Sequence, residues 1–238
     1  PLHFHAASDI GRYRSENQDR WLVRDDLQLA AVADGMGGLP CGSEAASCAI
    51  AHLEAQLAIC VPKDLDGWRT LLDSLNRDVH ALGRRLSPDL GLGTTLTCIC
   101  GQSDRLILAH VGDSAALRLR DGNLEQLTRE HTVAAEITER RASGLVERMP
   151  HSAEHILTSC LGLPFLPRED VFETDIKRGD RLLVCSDGLT KAVDRLAICA
   201  TLAEDARLEE IAAQLTVLAL RAGGTDNCTV IVGQSTAD

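Results

Sequence analysis

The sequence predicts a layered α+β sandwich in one domain, on three observations. Helical segments come in adjacent pairs between runs of short strands; a parallel βαβ fold would alternate them singly. Of the 238 residues, 45% are hydrophobic, enough to bury a sizeable core, and no linker, repeat or shift in composition divides the chain. The apolar runs of the middle third are short and broken by Gly, Asp and Ser, as antiparallel strands are.

In order, Leu2 to Ser8 reads as a first strand. Arg20 to Arg24 and Leu29 to Ala33 read as two more, around a turn at Asp25-Asp26. Ser43 to Ala58 is Ala-rich and helical. From Leu65 to Leu86 apolar residues recur at Leu65, Trp68, Leu71, Leu72, Leu75, Val79 and Leu82. Those steps of three and four put them on one face of a long amphipathic helix. Thr94 to Cys100, Leu106 to Val111 and Ala115 to Arg120 are apolar strands, the last ending in a hairpin turn at Asp121-Gly122. Val133 to Ser143 reads as a helix ending near Gly144. Val171 to Ile176 and Arg181 to Ser186 read as a strand pair around Arg178-Gly179-Asp180. Leu196 to Ala203 and Leu208 to Arg221 are helices, the second stopped by Gly223-Gly224, and Cys228 to Val232 is a last strand.

Charge and composition narrow the function. The 24 Lys and Arg against 35 Asp and Glu leave a net charge of −11, which repels a phosphate backbone and excludes a general nucleic-acid binder. Gly, Asp or Arg interrupts every apolar stretch well before the ~20 residues a membrane span needs. The start, PLHFHAASDIG, lacks the charged end and long apolar run of a signal peptide. A cytoplasmic protein without membrane partners is expected. Aromatic residues make up only 3%, so the core is mostly Ala, Leu, Val and Ile. The nine cysteines include no CxxC, and Cys48, Cys98, Cys100, Cys160, Cys185, Cys199 and Cys228, each in an apolar setting, read as small buried hydrophobes in a reducing compartment. Cys41, in a Gly/Pro-rich loop, is expected to be the exposed thiol. Cys98 and Cys100 share a strand face but lack the second pair a zinc site wants.

The chemistry lies where aspartates follow apolar strands. Ala30-Ala31-Val32-Ala33 runs into Asp34-Gly35-Met36-Gly37-Gly38. Leu108-Ala109-His110-Val111 runs into Gly112-Asp113-Ser114. Leu182-Leu183-Val184-Cys185 runs into Ser186-Asp187-Gly188, and Thr225-Asp226-Asn227 precedes the last strand. One Asp-Gly merely makes a turn. Four at the ends of buried strands, if they converge, make an oxygen-rich site for hard cations such as Mg²⁺ or Mn²⁺.

Six motifs carry a resemblance: Arg14-Ser15-Glu16-Asn17-Gln18-Asp19, Asp34-Gly35-Met36-Gly37-Gly38, Gly93-Thr94-Thr95, Gly112-Asp113-Ser114, Ser186-Asp187-Gly188-Leu189 and Gly224-Thr225-Asp226-Asn227. In this order, from Asp9 to Val232, the chain resembles the PPM family, the metal-dependent type-2C Ser/Thr protein phosphatases, in its bacterial single-domain form. The resemblance implies a four-layer αββα sandwich, with a central antiparallel β-sandwich and flanking helix pairs, over residues 1–238. It implies that Asp34 bridges two metal ions, that Asp187 and Asp226 complete the first ion's protein ligands, and that the Gly35 carbonyl binds the second with Asp19 beside it. Asp113, with Asp187, would hold a weaker third ion. Arg14 would grip the substrate phosphate, and residues 133–150 would form a variable flap.

The residue types suit that chemistry in their own right. A phosphoserine or phosphothreonine carries about −1.5 to −2 charges, which this acidic protein repels unless cations sit in the site. Divalent ions also lower the pKa of water enough for attack on phosphorus in line. The Arg14 fork matches two phosphate oxygens. A Cys-based phosphatase would need Cys-x5-Arg, yet Ser47 follows Cys41 at that spacing, Asp66 follows Cys60, Lys191 follows Cys185 and Asp205 follows Cys199. The Gly35 loop lacks the Lys-Ser/Thr of a P-loop. Thr94-Thr95 reads as a strand start, Asn227 as a turn residue, and Asp64, Asp66, Asp73 and Asp78 as a solvated helix face. His52 and His80 read as surface or packing residues.

Three departures from the family pattern stand out. Leu39 replaces a histidine that is a candidate general acid, Ala115 follows Gly-Asp-Ser in place of Arg, and Ser159 replaces an Arg. None removes a metal ligand; Leu39 leaves the proton donor open between metal-bound water and one of His110, His131, His151 and His155. We read the chain as a Mg²⁺/Mn²⁺-dependent Ser/Thr protein phosphatase, a monomer that opposes a bacterial Ser/Thr kinase by acting on its phosphorylated proteins. The alternatives are a catalytically silent module that binds phosphoproteins and a phosphohydrolase of small molecules.

Overall fold

The structure, a computed structural model, describes residues 1–36, 41–145, 148–165 and 168–236. The first strands are β1 (Leu2–Asp9), β2 (Asp19–Arg24) and β3 (Leu29–Asp34), followed by α1 (Gly42–Ile59) and α2 (Leu65–Leu86). Four strands come next: β4 (Leu96–Gln102), β5 (Arg105–Val111), β6 (Ala115–Arg120) and β7 (Asn123–Gln126). Beyond α3 (Val133–Ala142) lie β8 (Asp170–Asp175), β9 (Arg181–Cys185), a one-turn α4 (Asp187–Thr190), α5 (Arg195–Ala203), α6 (Leu208–Arg221) and β10 (Cys228–Ser235).

Two antiparallel sheets form, in the orders β1-β10-β9-β6-β7 and β2-β3-β4-β5-β8. The helices α1 and α2 cover the second sheet, and α5 and α6 cover the first. Strand alternation explains the layers. In β3, Ala30 and Val32 face the other sheet and, with Ile99 and Leu108 of their own sheet, cluster with Phe4, Val184 and Ile231 across from them. Leu29, Ala31 and Ala33 point the other way, onto Ala45, Ala49, Leu53, Trp68 and Leu75 of α1 and α2. A third cluster joins Leu117, Leu183, Val230 and Val232 to Ile211, Leu215 and Ala219 under α6. Three interfaces between four layers follow, as the resemblance implied. Strands covered on both faces are apolar throughout, which is why their alternation did not show in the sequence.

The helices begin where the chemistry asks. The N-cap Asp64 of α2 accepts from the Gly67 amide at 2.8 Å, a cap that contributes about 1 kcal/mol. Asp66 pairs with Arg69, Asp73 with Arg77 and Asp78 with His52, so the four aspartates are occupied with local structure.

Two expectations need correction. The segments 171–176 and 181–186 are not a strand pair: β8 pairs with β5 in one sheet and β9 with β10 and β6 in the other. Their burial differs accordingly, since β8 exposes alternate residues at a sheet edge while β9 is buried nearly throughout. The turn between them is a corner fixed by the buried Asp180, which accepts from the Lys177 amide and from both Nε and Nη2 of Arg120. Nor is Cys41 the exposed thiol. It is half-buried at the N-cap of α1, whereas Cys60, at the other end of that helix, is exposed.

Candidate active site

Sheet register sets the first pair of carboxylates. Asp19 opens β2 and Asp34 closes β3, and the antiparallel ladder sets them directly opposite. Like charges so placed repel. Two threonines hold Asp34 by its backbone: its amide donates to Thr95 Oγ1 at 3.0 Å, and its carbonyl accepts from Thr94 Oγ1 and from the Thr95 amide, both at 2.9 Å. Strand β4 starts at Leu96, so Thr94-Thr95 is a clamp on Asp34 more than a strand start. Gly35 must be glycine, since a Cβ there would lie 2.1 Å from the Gly42 carbonyl oxygen.

The other sheet brings the remaining groups. Asp187 begins α4 directly after β9, and Asp226 precedes β10. A Cβ at Gly188 would lie 1.9 Å from the Asn227 carbonyl oxygen, so only glycine lets these two loops approach. Asn227 holds the Arg14 segment in place. It accepts from the Gln18 amide at 2.9 Å and donates to the carbonyls of Ile10 and Glu16. Asp113 stands in the connection from β5 to β6, which crosses between the sheets.

These elements enclose a cavity of about 450 Å³ lined by Arg14, Asp34, Gly35, Asp113, Asp187 and Asp226. Asp19 lies behind it, 3% exposed. Its Oδ2 accepts from Ser186 Oγ at 2.8 Å, while its buried Oδ1 has no hydrogen-bond partner. Burial, with the charges of Asp187 and Asp226, pushes the Asp19 carboxyl up to about 6 against the lowering influence of the Thr229 and Ser186 hydroxyls. Burial and the charges of Asp19, Asp187, Asp113 and Asp226 drive Asp34 well above the ordinary carboxylate range. Asp113 is raised too, by burial and Asp187, with Lys191 pulling the other way.

Arg14 Nη2 donates to Asp226 Oδ2 at 2.8 Å. Lys191 Nζ donates to Asp113 Oδ2 at 2.9 Å and to Asp187 Oδ2 at 2.5 Å. Burial works against its charge, but the two carboxylates outweigh that and raise its pKa. Among the described residues no three side chains form a closed metal-ligand cluster; Arg14 and Lys191 hold oxygens of Asp226, Asp187 and Asp113 instead. The donor set nonetheless fits hard divalent cations. It is all oxygen, three of its carboxyls resist ionisation, and the orphaned Asp19 Oδ1 is a buried acceptor awaiting a positive partner.

Lys191 escaped the sequence reading. Its spacing four residues after Asp187 was the available signal, but its tie to Asp113 crosses 78 positions. Of the histidines, His110 and His131 are 0% and 1% exposed, their ring centres 4.9 Å apart and tilted at 44°. His110 bonds Thr97 and the Arg129 carbonyl, while His131 accepts from the Gly112 amide and faces Asp170. Both are committed to the fold behind Asp113. His155 lines the cavity. Leu39 lies outside the described residues.

A sequence model of the family described as protein phosphatase 2C matches residues 12–223. The chain is 36% identical over 242 residues to the serine/threonine protein phosphatase PstP of Mycobacterium tuberculosis, a match that takes in 97% of this chain and 44% of that one. The chain thus spans less than half the length of this relative. It is 30% identical to the serine/threonine phosphatase stp of Listeria monocytogenes, covering 97% of this chain and 95% of the other. The crystal structure of the catalytic domain of PstP in complex with two manganese ions superposes with a TM-score of 0.84 at 35% identity, covering 99% of each chain.

Proposed function

The chain belongs to the protein phosphatase 2C family, and from that premise we propose that it is a metal-dependent Ser/Thr protein phosphatase. The observation that carries this reading is the convergence of Asp34, Asp113, Asp187 and Asp226 on one cavity, backed by the unpartnered oxygen of Asp19.

In this reading Asp34, Asp187 and Asp226 would hold one divalent ion, and Asp34, the Gly35 carbonyl and Asp19 would hold a second. Asp113 and Asp187 do not fit a third ion as they stand, because Lys191 already engages both. Bound there, Mn²⁺ or Mg²⁺ supplies the positive field a phosphate dianion needs in an acidic site and acidifies water toward neutral pH. Arg14 lines the cavity, and its fork has donors beyond the one given to Asp226 for two phosphate oxygens. The leaving serine or threonine oxygen is a poor leaving group and needs a proton, and His155 lines the cavity to give it. The two buried histidines have no such access.

We place the activity in one domain, residues 1–238, with residues 133–150 as its flap. Its substrates would be proteins phosphorylated by a bacterial Ser/Thr kinase, and we take it to act as a cytoplasmic monomer. No helix among the described residues is long and apolar enough to cross a membrane. The silent-module alternative loses support, since every expected carboxylate is at or behind the cavity.

Phosphate release from a phosphothreonine peptide tests the reading. Release should require Mn²⁺, stop in chelator, and be lost in Asp34→Asn, Asp187→Asn and Asp226→Asn, with far-ultraviolet circular dichroism unchanged. Full release in chelator would overturn it.

A further inference from the structure

Lys191 occupies the place where the resemblance puts a third cation. Its ammonium lies 2.9 Å from Asp113 Oδ2 and 2.5 Å from Asp187 Oδ2. Those two carboxylates are the protein ligands expected for that ion. A Mg²⁺ shared between them would sit about 2.0–2.1 Å from their oxygens, within the volume the ammonium fills. One gap between two carboxylates does not hold both a divalent ion and an ammonium.

The position is built. Lys191 caps α4, and its amide donates to the Asp187 carbonyl at 2.9 Å. The turn is pinned on either side by Leu189, 0% exposed, and Val193, 8% exposed, both in the core beneath α6. The side chain is itself 25% exposed, mostly enclosed by the acids it bridges. Asp113 is 6% exposed, and the turn that carries it is fastened by reciprocal bonds between Gly112 and His131. Both ends of the bridge are therefore anchored in packed structure.

We propose that Lys191 is a built-in counter-cation that replaces the third metal ion, so that this phosphatase takes up two divalent ions and no third. The inference rests on the two-ion site proposed above. Asp113 then serves the reaction as the partner that positions a fixed ammonium beside Asp187, and not as a ligand to an exchangeable ion. The ammonium offers donors but no acceptor and cannot dissociate. Activity should accordingly saturate once two ions are bound, with no further rise at high metal concentration.

Metal stoichiometry tests this without reference to turnover. The full chain is dialysed against increasing Mn²⁺, bound metal is counted by elemental analysis, and the titration is repeated by calorimetry. Wild type should saturate at two Mn²⁺ per chain. Lys191→Ala should take up a third, with an affinity for it at least about tenfold above wild type, and Lys191→Arg should stay at two. Lys191→Gln gives the same reading if the alanine variant does not fold. Three ions on wild type, or two on folded Lys191→Ala and Lys191→Gln, would overturn the counter-cation. No Mn²⁺ on wild type would instead overturn the metal site itself.

Discussion

Asp19 shows how a single side chain can be poor for stability and needed for function. Its folded pKa of about 6 lies above the ordinary value of 3.8, so the folded protein holds this proton more tightly than the unfolded chain. Ionising Asp19 therefore costs stability; the cost is fully present above about pH 6 and fades as pH falls from there to 3.8. The size is on the order of 3 kcal/mol. Without metal, Asp19→Asn should therefore be more stable than wild type at pH 7, and the gain should vanish near pH 4. Urea unfolding in chelator at both pH values checks this, and equal midpoints at pH 7 would refute it. The same variant should bind Mn²⁺ more weakly. His155 gives a second test at this scale. Peptide phosphates release alkoxides that need a proton, whereas p-nitrophenyl phosphate releases a phenolate that hardly does. His155→Ala should lower kcat on a phosphothreonine peptide by about 10²-fold or more and leave the aryl substrate nearly unchanged. An equal loss on both would remove His155 from the acid role. Asp34, Asp113 and Asp187 were legible in the sequence because each sits in a local pattern, an apolar strand running into Asp-Gly or Asp-Ser, and Asp226 because it directly precedes a last apolar strand. Lys191 and His155 carry no such pattern, and their meaning arises only when distant segments meet.

Among the elements, the long helix α2 and most strands were readable because their signals are local. Spacing of three and four marks α2, and Asp121-Gly122 turns β6 into β7. The corner between β8 and β9 was not, since a glycine turn between two apolar strands looks the same whether the chain folds back or crosses to the other sheet. What decides it is Asp180 with Arg120, a pairing 60 residues long. Similarly, α4 is one turn and shows no periodicity. The end of β5 makes a prediction of its own. Burial and the neighbouring His131 lower the His110 pKa to about 4, against a raising influence of Asp170 and the Arg129 carbonyl. A depressed histidine contributes stability that is intact above about pH 6.5 and is lost as pH falls toward 4. His110→Gln should flatten the decline of stability across that window, read as unfolding midpoints in chelator from pH 7 to 4. An unchanged slope would show that His110 does not titrate there.

For the whole molecule, the net charge of −11 and the approach of a phosphate seem at odds until the distribution is considered. The acids that matter lie in or behind one cavity, and cations gathered there would reverse the local sign while the rest of the surface stays negative. The layered class was legible from paired helices and short strands, but the split of the ten strands among the described residues into two sheets required their long-range partners. That split governs the cavity. Asp19 and Asp34 belong to the sheet covered by α1 and α2, Asp187 and Asp226 adjoin strands of the sheet covered by α6, and Ser186 reaches across to Asp19 at 2.8 Å. A cation held by both sets is a rivet through two plates. Sliding one sheet over the other by even an ångström would loosen the rivet long before either plate came apart, so shear between the sheets, and not their unfolding, is the deformation to which this site is most sensitive.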